Sequence, residues 1–488
     1  IIFVTWISRT DSELFVMDAD GSNLRQITDT STDEGHVSWS VNGQLVFNGT
    51  EAGTSNYQLY LSDADGGNRQ RLTNSRIDEW SPEWSPDGSQ ILFLSERGSS
   101  VNSGIYIMDA ATGEARPIYN HEDSRILEWG AVWSADGRRI YISASWRGDE
   151  PLVSLAVDGR GGGGYEHVIA EPGVVGGYTF DRERTRVTWL WSALDDPAQL
   201  RVRDIDASGA AGEPRTLTAL NPWHDEIERG EIEEVWFKTR DGFDLHGWIL
   251  KPAGFDPSRK YPSILQIHGG PQTQYGNMFM HEFHYLAAAG YVVYWSNPRG
   301  SQGYGEGVTG AIFGQWGTVD YDDVMDWTDY VAKLPYIDTE RMGVTGGSYG
   351  GYMTTLIIGR TDRYKAAVAQ RVVSNFISFY GSSDLNAGLE NLAGTAAPWE
   401  DMETNWAQSP ISTIGNAKTP TLVIHSENDY RCDQEQGEQV FIALRKLGVD
   451  TELLLLPGES HGVSRGGRTD RRIARLEYML GWFERYLK

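Results

Sequence analysis

The sequence predicts a chain in two parts. A β-propeller-type array of short antiparallel strands, incomplete at its start, is followed by an α/β unit built on an eight-stranded, mostly parallel sheet. Three observations carry this. The first 220 residues repeat, with Trp39, Trp84, Trp133 and Phe180 spaced 45, 49 and 47 residues apart. From about Asn221 the repeats stop and strand-like runs alternate with helical ones. Finally, 488 residues are too many for one compact core, so more than one domain is expected.

Within the repeat array, LFVMDADGSNLRQIT (Leu14 to Thr28) returns as LYLSDADGGNRQRLT (Leu59 to Thr73) and IYIMDAATGEARPIY (Ile105 to Tyr119). Between the copies stand VSWSVNG, PEWSPDG, AVWSADG and the decayed GYTFDRE. Each unit reads as four short strands joined by polar Asp/Gly turns, the pattern of propeller blades. The aromatic at one phase of every unit is expected in the core between blades. The opening run IIFVTWIS has the phase of a strand that elsewhere follows the Trp-Ser-x-x-Gly turn, so the array is expected to start inside a blade. Its open edge, Ile1 to Thr28, would then either pair with another chain, as in a homo-oligomer, or leave wider substrate access than a closed ring allows. Gly161 to Gly164 are read as a loop insertion.

The domains are thus 1–220 (propeller), 221–234 (hinge, with Pro222 and many acids) and 235–488. In the last part, strands are predicted at Val235–Thr239, Leu245–Leu250, Ser263–His268, Tyr291–Trp295, Met342–Thr345, Ala366–Ala369, Thr421–His425 and Glu452–Leu456. Helices are predicted at His281–Ala289, Tyr321–Lys333, Gly351–Gly359, Glu435–Leu447 and Arg471–Leu487. Strands alternating with crossover helices make a doubly wound sheet with its site at the strands' C-terminal ends.

Composition narrows the function. The net charge of -26 argues against nucleic acid or an anionic membrane as partner, since both need a basic footprint. No apolar run reaches the roughly 18 residues of a membrane-spanning helix. The one cysteine, Cys432, cannot form an internal disulfide or a thiolate metal site, and it fits a reducing, cytoplasmic setting better than a secreted one. Cys432 is read as a buried small hydrophobe. His281 and His284 lack a third ligand, and the glycines of Gly300 to Gly307 lack the Gly-Lys-Ser/Thr of a phosphate loop, so no metal or cofactor is expected.

The chemistry lies in Gly346-Gly347-Ser348-Tyr349-Gly350-Gly351, a Gly-x-Ser-x-Gly element after the strand MGVT and before the helical GYMTTLIIG. Strand, tight turn and helix are what a nucleophile elbow requires, with small residues where backbones must approach. A serine hydroxyl needs a base held by an acid. Asp429 follows the strand TLVIH, and His461 lies in GESHG after ELLLLP. The order Ser348, Asp429, His461, each at a strand end, is that of an α/β-hydrolase triad. Two N–H donors would hold the oxyanion: Tyr349, next to the nucleophile, and Gly270 in His268-Gly269-Gly270-Pro271. Phe376, Phe379 and Tyr380 form a candidate wall for the substrate side chain.

The motifs HGGP (268–271), NPRGSQGYG (297–305), GGSYGGY (346–352), HSENDYRC (425–432) and PGESHGVSR (457–465) resemble those of the prolyl oligopeptidase family of serine peptidases, in its acylaminoacyl-peptidase-like branch. The resemblance implies an N-terminal propeller joined to a catalytic hydrolase domain, no cofactor, and short or N-acylated peptides as substrates. It assigns Ser348, Asp429 and His461 as the triad, Tyr349 and Gly270 as the oxyanion hole, and Arg299 to loop organisation. The dipeptidyl-peptidase branch carries a glutamate pair on a propeller helix; Glu233-Glu234 falls in the expected hinge instead, which does not support dipeptide release. An esterase on the same triad, and a peptide-binding propeller with a silent hydrolase domain, are the alternatives.

Overall fold

The computed structural model describes residues 1–8, 11–30, 32–50, 56–75, 77–97, 103–119, 125–126, 130–158, 165–206, 212–385 and 388–488. The Gly161 to Gly164 insertion lies outside them. The chain divides into two compact units: residues 1–220 with 303–306, and residues 221–302 with 307–488.

The first unit is a series of five antiparallel sheets that follow the repeats. The first has three strands, Ile2–Ser8, Asp11–Val16 and Arg25–Gln26. The others have four or five, as in Glu79–Trp84, Gln90–Ser95, Gly104–Asp109 and Ala115–Tyr119. Apolar side chains gather in separate clusters that join one sheet to the next: Val46 and Leu59 of one meet Trp84, Ile91 and Phe93 of its successor. Trp84, Trp133 and Phe180 are buried as the repeat predicts. Trp39 is not; it is 42% exposed. Trp6 and Ile7 of the three-stranded first sheet are exposed as well.

The second unit is an α/β sandwich. Its sheet is built from β1 (Ile232–Lys238), β2 (Asp244–Leu250), β3 (Tyr261–Ile267), β4 (Val292–Asn297), β5 (Ile337–Ser348), β6 (Ala366–Val372), β7 (Thr421–Ser426) and β8 (Thr451–Leu456). The order is β1-β2-β4-β3-β5-β6-β7-β8, antiparallel at the first two pairings and parallel from β4 onward. Parallel strands are covered on both faces, which is why β3, β4 and β7 are buried at every residue and read as largely apolar runs. One apolar core runs along this sheet, from Val235 and Leu245 through Trp327 and Leu356 to Val440 and Leu444.

All eight predicted strands are present, and the five predicted helices correspond to His281–Ala288, Val319–Ala332, Tyr349–Arg360, Gln434–Leu447 and Thr469–Leu487. One boundary is corrected. The sheet begins at Ile232, so Glu233 and Glu234 belong to β1 and not to a hinge; Glu234 there bonds His246, whose Nε2 is 2.9 Å from its carboxylate. Between β6 and β7 the chain adds helices Phe376–Ser382, Gly388–Ala393 and Met402–Gln408, each too short to show a helical period in sequence.

Candidate active site

Four strand ends converge on the site. β5 ends at Ser348, which has φ 63° and ψ -122° and is followed directly by the helix Tyr349–Arg360. A left-handed backbone at a non-glycine residue is strained and has to be held by its surroundings. Close packing holds it: a side chain on Gly350 would come 2.1 Å from the Ile267 carbonyl oxygen, and one on Gly346 would come 2.6 Å from the same atom. Glycine is therefore obligatory where the helix crosses β3. The strained turn presents Ser348 to a cavity of about 950 Å³, and His461, Tyr349, Gly270 and Cys432 lie on the same wall.

Asp429 stands three residues beyond β7, and His461 five beyond β8. The His461 Nδ1 lies 2.8 Å from Asp429 Oδ2 and 3.0 Å from Oδ1. The backbone N–H groups of Arg431 and Cys432 donate to Asp429 Oδ1 at 3.1 and 2.9 Å, so the carboxylate is fixed from two sides. It is 1% exposed. Burial pushes the His461 pKa below its ordinary value, against the opposing pull of Asp429. The ring is thus neutral at pH 7, with Nδ1–H donated to the carboxylate and Nε2 left as a base. His425, also buried, is held neutral by desolvation and donates Nε2–H to the Cys432 carbonyl at 2.7 Å.

Tyr349 opens its helix, so its N–H has no partner within that helix and can serve an anion. Its side chain is anchored elsewhere: the hydroxyl donates to Asp320 Oδ2 at 2.5 Å, and the ring packs edge-on to Trp316 and stacks with Tyr352. Asp320 also accepts from Gly317 N at 2.9 Å. Nothing in the sequence singled out Asp320, which sits in a helix 29 residues upstream. Gly270 lies in the loop after β3 at φ 115°. Gly269 packs nearer the serine, and a side chain there would sit 3.9 Å from Ser348 Oγ. His268 is buried, its pKa pushed down to about 4 by desolvation, and its Nε2 is 2.9 Å from Ser301 Oγ.

Of the three aromatics expected to wall the site, only one borders the cavity. Phe379 lines the cavity. Phe376 is fully buried in the core against Trp316 and Tyr352, and Tyr380 turns away to donate its hydroxyl to Glu390 at 2.6 Å. Arg299 braces a loop, with Nε donating to Asp323 at 2.9 Å and Nη1 to Asp241 at 2.7 Å. Cys432 is buried and its thiol pKa is pushed up by desolvation. Among the described residues, no group of three or more His, Cys, Asp or Glu side chains is arranged to hold a metal ion.

A strained serine, a neutral imidazole fixed by a buried carboxylate, and a free helix N-terminal N–H together make acyl-transfer chemistry possible, and the comparisons with known proteins agree. The sequence pattern of the prolyl oligopeptidase family matches residues 277–488. Over these residues the chain is similar to that family of serine peptidases. An uncharacterized peptidase of Bacillus subtilis is 48% identical over 256 residues, which is 52% of this chain and 39% of the relative. The dipeptidyl-peptidase 5 of Schizosaccharomyces pombe is 34% identical over 262 residues, 52% of this chain and 38% of the relative. The matched stretch is thus about two-fifths of these relatives' length. The acylaminoacyl peptidase of Pyrococcus horikoshii superposes with a TM-score of 0.83 at 26% identity, covering 98% of this chain and 74% of that one.

Proposed function

We propose that the protein hydrolyses short peptides by acyl transfer to Ser348. His461 takes the hydroxyl proton through Nε2 as Ser348 attacks the scissile carbonyl, then returns it to the leaving amine. Asp429 keeps the imidazole in the required tautomer and stabilises the imidazolium. The N–H groups of Tyr349 and Gly270 receive the oxyanion. The observation that carries this reading is the 2.8 Å contact of His461 with a carboxylate already fixed by two backbone N–H groups, on the same cavity as the strained serine.

The five N-terminal sheets are read as blades of a β-propeller, after the repeat pattern and the acylaminoacyl-peptidase likeness. Oligopeptides and N-acylated peptides are the proposed substrates. The relatives named dipeptidyl-peptidase 5 suggest release from a free N-terminus, which would need an anion to hold the ammonium group. Glu282 is the one acidic side chain on the cavity wall among the described residues, and Arg475 holds it at 2.6 Å. N-acetylated and free peptides of one sequence, digested side by side and read by mass spectrometry, test the choice; faster cleavage of the free series would overturn the acyl preference. Labelling by a fluorophosphonate, lost in Ser348→Ala, tests the nucleophile itself.

A further inference from the structure

The chain as a whole is strongly acidic, yet its active-site cavity is not. Five arginines line it, Arg371, Arg431, Arg465, Arg472 and Arg475, against the single carboxylate of Glu282. Arg475 is committed to Glu282 and to Gln370, and Arg431 pairs with Asp384. Among the described residues, Arg371, Arg465 and Arg472 have no acidic partner within ion-pair distance. Arg371 Nη1 donates only to Ser464 Oγ, at 3.3 Å, while Arg472 donates to the Arg465 carbonyl and to Thr469, both at 3.5 Å.

Arg371 is the member nearest the chemistry. A side chain on Gly347, the residue before Ser348, would come 2.5 Å from the Arg371 guanidinium carbon, so the planar group lies flat against the elbow. The Nε atoms of Arg371 and Arg475 are buried without a hydrogen-bond partner. The Arg371 backbone is also held at φ 38°, in the region non-glycine residues avoid. Burial, then the charges of Arg475 and Arg465, depress its pKa to about 10. Glu282, which opposes this shift, is itself paired with Arg475, so the Arg371 guanidinium is desolvated with no ion pair of its own; that is costly, and its fork matches a carboxylate.

We propose that Arg371, with Arg465 and Arg472, forms an anion subsite that binds a carboxylate of the substrate beside Ser348. The carboxylate is either the C-terminus of a short peptide or an acidic side chain near the scissile bond. This deepens the peptidase reading and rests on it.

Matched short peptides separate the two sources on the unaltered protein: free acid against C-terminal amide, and Glu against Gln near the cleavage site. The favoured carboxylate should raise kcat/KM by about tenfold or more, since hydrogen bonds to charged groups carry that much discrimination. The advantage should shrink as salt is raised. In Arg371→Gln the acid-to-neutral ratio should collapse towards one; the exposed Arg465→Gln, which tests the same point if Arg371→Gln fails to fold, should reduce it. An advantage confined to the acid/amide pair assigns the C-terminus, and one confined to Glu/Gln assigns the side chain. Ratios near one for every pair, with all peptides cleaved, overturn the subsite and leave the peptidase reading standing. If no peptide is cleaved, that reading fails instead, and protection of Ser348 from a neutral fluorophosphonate decides the subsite: peptide acids should protect better than their amides, and equal protection overturns it.

Discussion

The two units distribute their apolar residues in opposite ways. The repeat unit divides them among small clusters, such as Leu14, Leu45, Phe47 and Tyr60, each joining adjacent sheets. The α/β unit collects them into one body that runs the length of its sheet and includes Tyr349 and Phe376, beside the candidate nucleophile. A site that must hold its donors and its base within fractions of an ångström gains from resting on a continuous close-packed core. The repeats need only local fit between neighbours, so their damage should be local and position-dependent.

The contrast is tested most severely where chemistry separates from packing. Ser348→Ala should lower kcat by about 10⁴-fold or more with an unchanged unfolding transition, and Asp429→Asn should approach the same loss by fixing the wrong histidine tautomer. Peptide turnover beside urea unfolding reads both, and substantial residual turnover would remove Ser348 from its role. Next comes the repeat unit. Trp133→Ala should cost about 3–5 kcal/mol, whereas Trp39→Ala, in the equivalent position but 42% exposed, should cost under about 1 kcal/mol. Equal losses would mean the clusters are not independent.

Acid should then discriminate the catalytic unit. Its buried His268 has a native pKa of about 4, below the ordinary 6.5. Above pH 6.5 this difference has no effect. As pH falls from about 6.5 towards 4, the unfolded chain takes up the proton and the native one resists, so roughly 3 kcal/mol of stability is lost. Thermal unfolding of His268→Gln, compared with the parent across that range, measures it. The smallest effect expected is in the pH–rate profile. Because the His461 pKa is depressed, kcat/KM should rise with pH and reach half its plateau below pH 6.5. A midpoint above 7 would show that Asp429 outweighs burial.

What the sequence disclosed follows the same division. The strands and the candidate triad were legible because each is marked locally: apolar runs such as TLVIH end just before the candidate residues, and glycines flank Ser348 because backbones touch there. The Trp phase named the inter-sheet core but could not tell that Trp39 is left 42% exposed. Phe376 and Phe379 look alike in sequence and stand one turn apart on a short helix, both buried and with their rings in contact, yet only Phe379 borders the cavity. The arginine cluster was invisible for a different reason. Glu282, Arg371, Arg465 and Arg475 come from elements as much as 193 residues apart, and only the crossing of β6 with the C-terminal helices unites them.

The lone thiol of Cys432 has a practical consequence. It is 1% exposed, protonated at neutral pH, and placed in the segment whose backbone N–H groups grip Asp429. With no other cysteine in the chain, an aromatic disulfide reagent has one target, on the cavity wall with Ser348. The colour released per minute therefore reports how readily a reagent reaches that wall, and a bound peptide should slow it.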